Sequence, residues 1–284
     1  MTQSIVTSPL FSIVVPSYNQ ARFLDETLSS LLGQEDADIE VLVVDGGSTD
    51  GSVDIIRRYA DRLAWWVSEP DRGQSHALNK GFQRASGEWL GWLNSDDFLL
   101  PGALQILRTQ LGRNPACRWW IGEGWFVDAD GRRLRRYSAP LGLERPEQLS
   151  DWREHWLSQP ASIFRRSLWL EVGGAVREDL HYAMDLDLWL RFLKRAAPTC
   201  FAGDFAGYRV HTGSKTQRLA VTGEMEIVRV LAEHLGLDAA LDRVRLIAEE
   251  REGFRERFER LDQALKPIMS IRALARGMLK KVFR

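Results

Sequence analysis

Four short apolar runs, Phe11 to Val15, Glu40 to Val44, Ala64 to Val67 and Glu88 to Leu93, are rich in β-branched and aromatic residues. Their length and composition predict strands rather than helices. Between the runs the spacing lengthens to a helical period. Leu24, Leu28, Leu31 and Leu32 form one apolar stripe, and Leu78, Phe82 and Ala85 form another. A helix is predicted behind the cap formers Ser48, Thr49 and Asp50. Another opens at Pro101, whose fixed φ suits a first turn, and runs through Leu104, Leu107 and Leu111. Strands alternating with helices predict an α/β fold, a mainly parallel sheet with right-handed crossovers and helices on both faces.

From Trp119 onward the pattern changes. Trp119 to Gly122, Gly124 to Asp128 and Arg133 to Tyr137 predict short strands, the last two joined by an Asp130-Gly131 hairpin turn, so the sheet is expected to be mixed. A helix over Leu186 to Lys194 and a strand over Tyr208 to Val210 follow, after which the chain reads as helical to its end. One domain over residues 1–215 with a helical extension over 216–284 is the expected organisation. The 284 residues, 44% of them hydrophobic, can bury a substantial core. A net charge of -1 argues against a nucleic-acid binder, which would carry a basic surplus. Cys117 and Cys200 stand in no metal-binding or redox spacing. The N-terminal residues carry no basic region followed by a long apolar run, so neither a secretory leader nor a spanning helix is expected, and a cytoplasmic protein is.

In a parallel α/β sheet ligands bind beyond the carboxyl ends of the strands. Polar residues collect there in this sequence, as Pro16-Ser17-Tyr18-Asn19, Asp45-Gly46-Gly47-Ser48, Glu69 to Gln74, and Asn94-Ser95-Asp96-Asp97. Each cluster alone is an ordinary set of turn residues, but four in succession at one edge point to a site. Neither GxGxxG nor GxxxxGK[ST] follows the first strand, which removes dinucleotide and P-loop readings. The adjacent carboxylates Asp96 and Asp97 repel unless a cation or solvent compensates, and hard divalent ions such as Mg and Mn prefer oxygen ligands. Capping of the helix predicted at Pro101 accounts for the same pair equally well.

Taken in order, IVVPSYNQ, VVDGGSTDGS, SEPDRGQSHALNKG and GEWLGWLNSDD resemble glycosyltransferase family two, whose members share the GT-A fold. The resemblance implies a Rossmann-like mixed sheet, with a donor half over 1–110 and an acceptor half over 111–215. It implies that Pro16, Ser17, Tyr18 and Asp45 line the base and ribose of a nucleotide sugar, a UDP-sugar foremost, with Asp71 and Gln74 nearby. Asn94-Ser95-Asp96 takes the place of the family's DxD motif, with Asp96 as ligand to Mn or Mg. Asn94 departs from the family by replacing the first carboxylate, which leaves a share of the metal to Asp97.

In HYAMDLDLWLRF, Asp185 matches the position of the family's general base, and Asp187 reads as a helix cap. A sugar hydroxyl is a poor nucleophile, so a carboxylate must take its proton, and a single base implies displacement with inversion. The stretch YRVHTGSKT resembles the family's closing loop near the diphosphate, with His211 as a metal ligand and Arg209, Ser214 and Lys215 offsetting charge on the leaving group. Gln159, before an apolar strand, is expected to face the acceptor. Among eleven tryptophans, Trp65, Trp66, Trp89, Trp92 and Trp189 read as core, and Trp125, Trp152 and Trp156 as acceptor-site candidates. The terminal IMSIRALARGMLKKVFR pairs an apolar helical face with basic residues. It suits an anionic membrane surface as well as a docked helix, and on the membrane reading the acceptor is a lipid-linked glycan. Two other readings stay open. A nucleotide-sugar-binding protein without catalysis is one, and a sugar nucleotidyltransferase, which should carry a Gly-rich basic loop where this chain has PSYNQ, is the other.

Overall fold

The computed structural model describes residues 9–34, 38–150 and 157–249. Its first part is a series of strand-helix units: β1 (Phe11–Ser17), α1 (Ala21–Leu32), β2 (Ile39–Asp45), α2 (Ser52–Tyr59), β3 (Trp65–Ser68), α3 (Gln74–Arg84) and β4 (Trp89–Trp92). The second part is β5 (Phe98–Leu99), α4 (Ala103–Arg113), β6 (Trp119–Val127), β7 (Arg133–Tyr137), β8 (Ser162–Arg165), α5 (Arg166–Glu171), α6 (Met184–Leu193), β9 (Thr199–Arg209), α7 (Lys215–Arg218) and α8 (Ala220–Leu235). One sheet runs β3-β2-β1-β4-β8-β6-β9-β5, with β7 pairing β6 beside β8. β1 to β4 are mutually parallel, and β8 opposes β4.

Alternation along the central strands explains why both faces are covered. Ile13, Val15, Val41 and Val43 pack with Leu24, Leu28 and Ile56 on one face. Val14, Leu42 and Val44 pack with Leu78 and Phe82 on the other. That second core continues under the second part of the sheet, where Trp189 of α6 lies between Trp92 and Trp119. Its ring centroids are 5.6 and 5.1 Å from theirs and its plane is tilted by only 14° and 21°. Offset stacking of this kind adds to the area each indole buries. Ile227, Val230 and Leu231 of α8 enter the same core, so the helical extension begins inside the domain's packing.

Several expected boundaries move. The two runs at Trp119 and Gly124 fuse into one strand, β6, whose register against β9 slips on either side of Glu123. Gly122 and Gly124 lie at that slip, and Phe201, Phe205 and Tyr137 pack where their side chains would stand. Pro101 precedes α4 rather than opening it, because Gly102 at φ 74° turns the chain first, and Phe98–Leu99 forms a strand that no pattern announced. The strand expected over Tyr208 to Val210 is the end of the much longer β9. Helix continues over 237–249. Trp152, Trp156 and the basic terminal segment lie outside the described residues. Among the described residues no helix is long and apolar enough to cross a membrane.

Removing the middle ring of the tryptophan stack is expected to cost about 3–5 kcal/mol in Trp189→Ala. Urea unfolding checks this, and a loss below about 1 kcal/mol would show that the core collapses around the gap.

Candidate active site

The loops after β1 and β2 are tied to each other before they meet anything else. Asn19 adopts φ 51°, which its short polar side chain tolerates, and its Oδ1 accepts the Thr49 N–H at 2.9 Å. The Asn19 N–H reaches Ser48 Oγ at 2.7 Å, Gln20 N–H reaches Ser52 Oγ at 3.0 Å, and Ala21 N–H reaches Asp50 Oδ2 at 2.9 Å. Asp45 lies beneath these loops, fully buried. Its carboxylate accepts from Gly47 and Ser48 N–H groups and from the hydroxyls of Ser48 and Ser68, at 2.6–3.1 Å. This departs from the expectation that Asp45 lines the nucleotide, since the carboxylate is fully buried outside the cavity lining and holds the turn through these four bonds.

Gly46 stands at the wall in its place. A Cβ on Gly46 would lie 2.8 Å from Asp71 Oδ2, so the missing side chain is what lets the Asp71 carboxylate reach the wall. The wall belongs to a cavity of about 1080 Å³ that also takes in Pro16, Ser17, Tyr18, Gln74 and Ser95. Tyr18 is 62% exposed at its edge. Ser17 Oγ is buried and finds no hydrogen-bond partner among the described residues.

A chain of amides crosses the cavity floor. Lys215 Nζ donates to Gln74 Oε1, Gln74 Nε2 donates to Asn94 Oδ1 at 2.6 Å, Asn94 Nδ2 donates to Gln159 Oε1 at 3.0 Å, and Gln159 Nε2 donates to the Trp92 carbonyl at 2.7 Å. Asn94 Nδ2 also approaches Asp97 Oδ2 at 3.3 Å. The amide at position 94 accepts from one neighbour and donates to the others, which an ionised carboxylate cannot do, and this gives the missing carboxylate a physical reason. Gln159 therefore lines the cavity while bonded to Asn94.

Asp96 and Asp97, adjacent in sequence, part company. Asp96 Oδ2 meets His211 Nε2 at 3.0 Å at the cavity, and the imidazole rests on Phe23 with ring centroids 4.6 Å apart. Asp97 is 2% exposed and points inward, where Oδ1 accepts the Arg209 N–H at 2.8 Å. Burial pushes its carboxyl well above the usual range, and the charge on Asp96 adds to this. Asp97 thus acts as a brace at the margin of the cavity, its carboxylate turned to Arg209 and Asn94. Arg209 is likewise committed. Its Nε donates to the Asp96 carbonyl at 2.7 Å, Nη1 to the Asp128 and Ala129 carbonyls at 3.2 and 3.0 Å, and Nη2 to Glu26. Four of its five guanidinium N–H groups are thus spent inside the protein, at the margin of the cavity that it helps to line. Asp96 and His211 offer one oxygen and one nitrogen ligand, and among the described residues no third acidic, His or Cys side chain joins them. The pair suits an Mg or Mn ion that completes its shell from phosphate oxygens and water.

Asp185 lines the cavity from the first turn of α6, with Oδ1 accepting the Leu186 N–H at 2.8 Å. Burial raises its pKa, against which that N–H and the nearby Lys215 pull down. Lys215 is half-buried beside Asp185 and Met184, and loss of hydration brings its ammonium down to about 8. Asp187 faces away, bound to Arg191 and His234 at 2.9 Å each, which joins α6 to α8. Ser214 Oγ caps α7 through the Gln217 N–H. Trp125 does not reach the cavity, because its Nε1 donates to Asp204 at 2.8 Å and Arg133 covers its ring. Tyr182 and Glu226 do reach it and were not anticipated. Neither belongs to a motif, and Glu226 reads as an exposed helix position.

Residues 12–173 match the family model described as glycosyl transferase family 2. An uncharacterized protein of Mycobacterium tuberculosis (strain CDC 1551 / Oshkosh) is 33% identical over 231 residues, 75% of this chain and 71% of that one. An uncharacterized glycosyltransferase of Rickettsia typhi (strain ATCC VR-144 / Wilmington) is 28% identical over 196 residues, 66% of this chain. The chain spans only 59% of that relative's length. Among solved structures, S. aureus TarS 1-349 in complex with UDP superposes with TM-score 0.61 at 20% identity, covering 79% of this chain and 64% of that one. The mannosyltransferase PcManGT of Pyrobaculum calidifontis, in complex with GDP-Man and Mn2+, gives 0.59 at 19% identity, covering 91% and 81%. Both likenesses bear on the fold, which is that of GT-A glycosyltransferases.

If Arg209 is a brace, Arg209→Lys should destabilise the protein by about 1–3 kcal/mol, because the ammonium cannot reach all of the carbonyls it leaves behind. Melting would fall equally with and without a nucleotide sugar. A ligand role would instead show as lost stabilisation by the nucleotide alone.

Proposed function

Since this chain belongs to glycosyl transferase family 2, we propose that it moves a sugar from a nucleoside diphosphate donor, a UDP-sugar foremost, to a hydroxyl of a glycan or lipid-linked acceptor, with inversion. The observation that carries the reading is one cavity lined by both Asp96, which His211 meets at 3.0 Å, and the half-buried carboxylate of Asp185. TarS complexes with UDP and the PcManGT complex with GDP-Man support a nucleotide-sugar donor.

In this reading Tyr18 packs against the base, while Asp71 and the free Ser17 hydroxyl bond to base or ribose. Asp185 takes the proton of the acceptor hydroxyl as that oxygen bonds to the anomeric carbon. The bond from that carbon to the diphosphate oxygen breaks, and its electron pair leaves with the nucleoside diphosphate. A raised pKa makes Asp185 a stronger base than an ordinary carboxylate. Lys215 holds positive charge where the diphosphate leaves. Asp96 and His211 would hold a divalent cation, Mn or Mg, which when bound neutralises charge on the departing group. Residues 1–110 would serve the donor, and the basic terminal segment would bring the protein to the inner face of a membrane for a lipid-linked acceptor.

Nucleotide sugars should raise the melting temperature, more so with Mn. Asp185→Asn should keep that stabilisation and lose transfer by about a thousandfold, within the span usual for a general base. Transfer that survives in Asp185→Asn defeats the proposal.

The pH dependence has two limbs. Asp185 must be ionised, so kcat/KM rises with pH through a pKa lying above the ordinary 3.8. Lys215 must be charged, so kcat/KM falls as pH passes about 8. Lys215→Arg should move the alkaline limb upward, and an unmoved limb would assign it to another group.

A further inference from the structure

The helix that carries Asp185 has no cap of its own. Ala183 precedes α6 without a side-chain acceptor, and the turn from His181 to Ala183 leaves its N–H groups pointing out of the helix end. Glu226, from α8, supplies the missing acceptor. Its Oε2 takes the N–H groups of His181, Tyr182 and Ala183 at 3.0, 2.7 and 3.0 Å, and Oε1 shares that of His181 at 3.0 Å. Burial alone would raise this carboxyl, but the backbone donors outweigh it and hold the group below its usual range.

A second contact, independent of charge, fixes the same junction. One turn before Glu226, Gly223 faces the Tyr182 ring so closely that a Cβ would lie 2.5, 2.6 and 2.7 Å from Cγ, Cδ2 and Cδ1. Those separations are impossible for a real side chain, so α8 approaches this turn as nearly as backbone allows. Helix and turn are clamped both by a carboxylate on three amides and by a ring on a glycine. Asp185 lies two residues beyond the last clamped amide.

We propose that Glu226 is a positioning residue for sugar transfer, holding the turn before α6 so that Asp185 meets the acceptor hydroxyl. The inference rests on Asp185 as base, and it makes α8 part of the catalytic apparatus rather than an appendage. Gly223 serves the same end by letting α8 come close enough.

Two measurements on the full chain separate this proposal from the one it rests on. The first is amide hydrogen exchange over residues 176–190, which needs no turnover. Protection of the His181, Tyr182 and Ala183 amides is expected in the wild type and its loss in Glu226→Ala, with exchange elsewhere unchanged. Equal exchange in both proteins overturns the clamp, whether or not the protein transfers sugar. The second is steady-state transfer. Glu226→Ala should lower kcat by about tenfold to a hundredfold, the scale of a small misplacement of a reacting group, with KM for the donor within about twofold. Glu226→Gln, which keeps one carbonyl acceptor, should recover most of the lost kcat, and Gly223→Ala should reproduce the defect with Glu226 intact. A kcat unchanged in Glu226→Ala, or a parallel loss of donor stabilisation in both variants, overturns the positioning role. An inactive wild type with a protected turn would instead bring down the transferase reading and leave the clamp standing.

Discussion

Arg209 carries a permanent charge and is 2% exposed, so each N–H denied to water has to find a protein oxygen. Those oxygens come from Glu26 on α1, Asp96 after β4, and Asp128 and Ala129 in the turn between β6 and β7. The backbone of the same residue closes on Asp97. A single side chain therefore ties the two halves of the sheet together at the edge where the cavity opens. The meeting of Asp96 and His211, 115 positions apart, depends on that tie. Removing one partner of a buried, hydrogen-bonded charge leaves the rest uncompensated, which is why the arrangement tolerates so little change.

Around this brace the cavity floor is built from neutral amides and its rim from charges. Gln74, Asn94 and Gln159 form an oriented chain ending on the Trp92 carbonyl, and Asn94 gives each neighbour the partner it lacks. A second carboxylate at position 94 would confront both Asp97 and the Gln159 carbonyl oxygen, and repulsion between like charges at that depth is expensive. The charges that remain, Asp96, Asp185 and Lys215, face the space itself. Charges at the cavity wall can be answered by a ligand, which leaves each group ready to respond to a substrate.

Much of the fold could be read from the chain because the signals were local. Period and turn chemistry located β1 to β4 and the polar clusters after them, and the structure gathers members of all four clusters at one cavity. What escaped depended on partners far away. Thr199–Arg209 has two glycines and no clean alternation, so only pairing with β6 makes it a long strand. Asp97 and Arg209 have the composition of site residues, yet partners more than a hundred positions away hold them, and burial of that kind leaves no mark on neighbouring positions. Glu226 escaped for the opposite reason, since a glutamate among helical residues is the least informative of signals until the turn that it caps is known.

Pairing between β6 and β9 has a further consequence, for the order in which the molecule can be built. β1 meets β2, and β2 meets β3, across single strand-helix-strand units. β6 and β9 are parallel neighbours bringing together residues such as Trp125 and Asp204, 79 positions apart. Loop closure over that distance is slow compared with the local units, and a nascent chain offers its N-terminal part first. Until β9 emerges, β6 presents an open row of amides and carbonyls to any neighbouring strand, the kind of edge on which chains associate wrongly. Synthesis of β9 thus both delivers Arg209 to the cavity and covers that open edge.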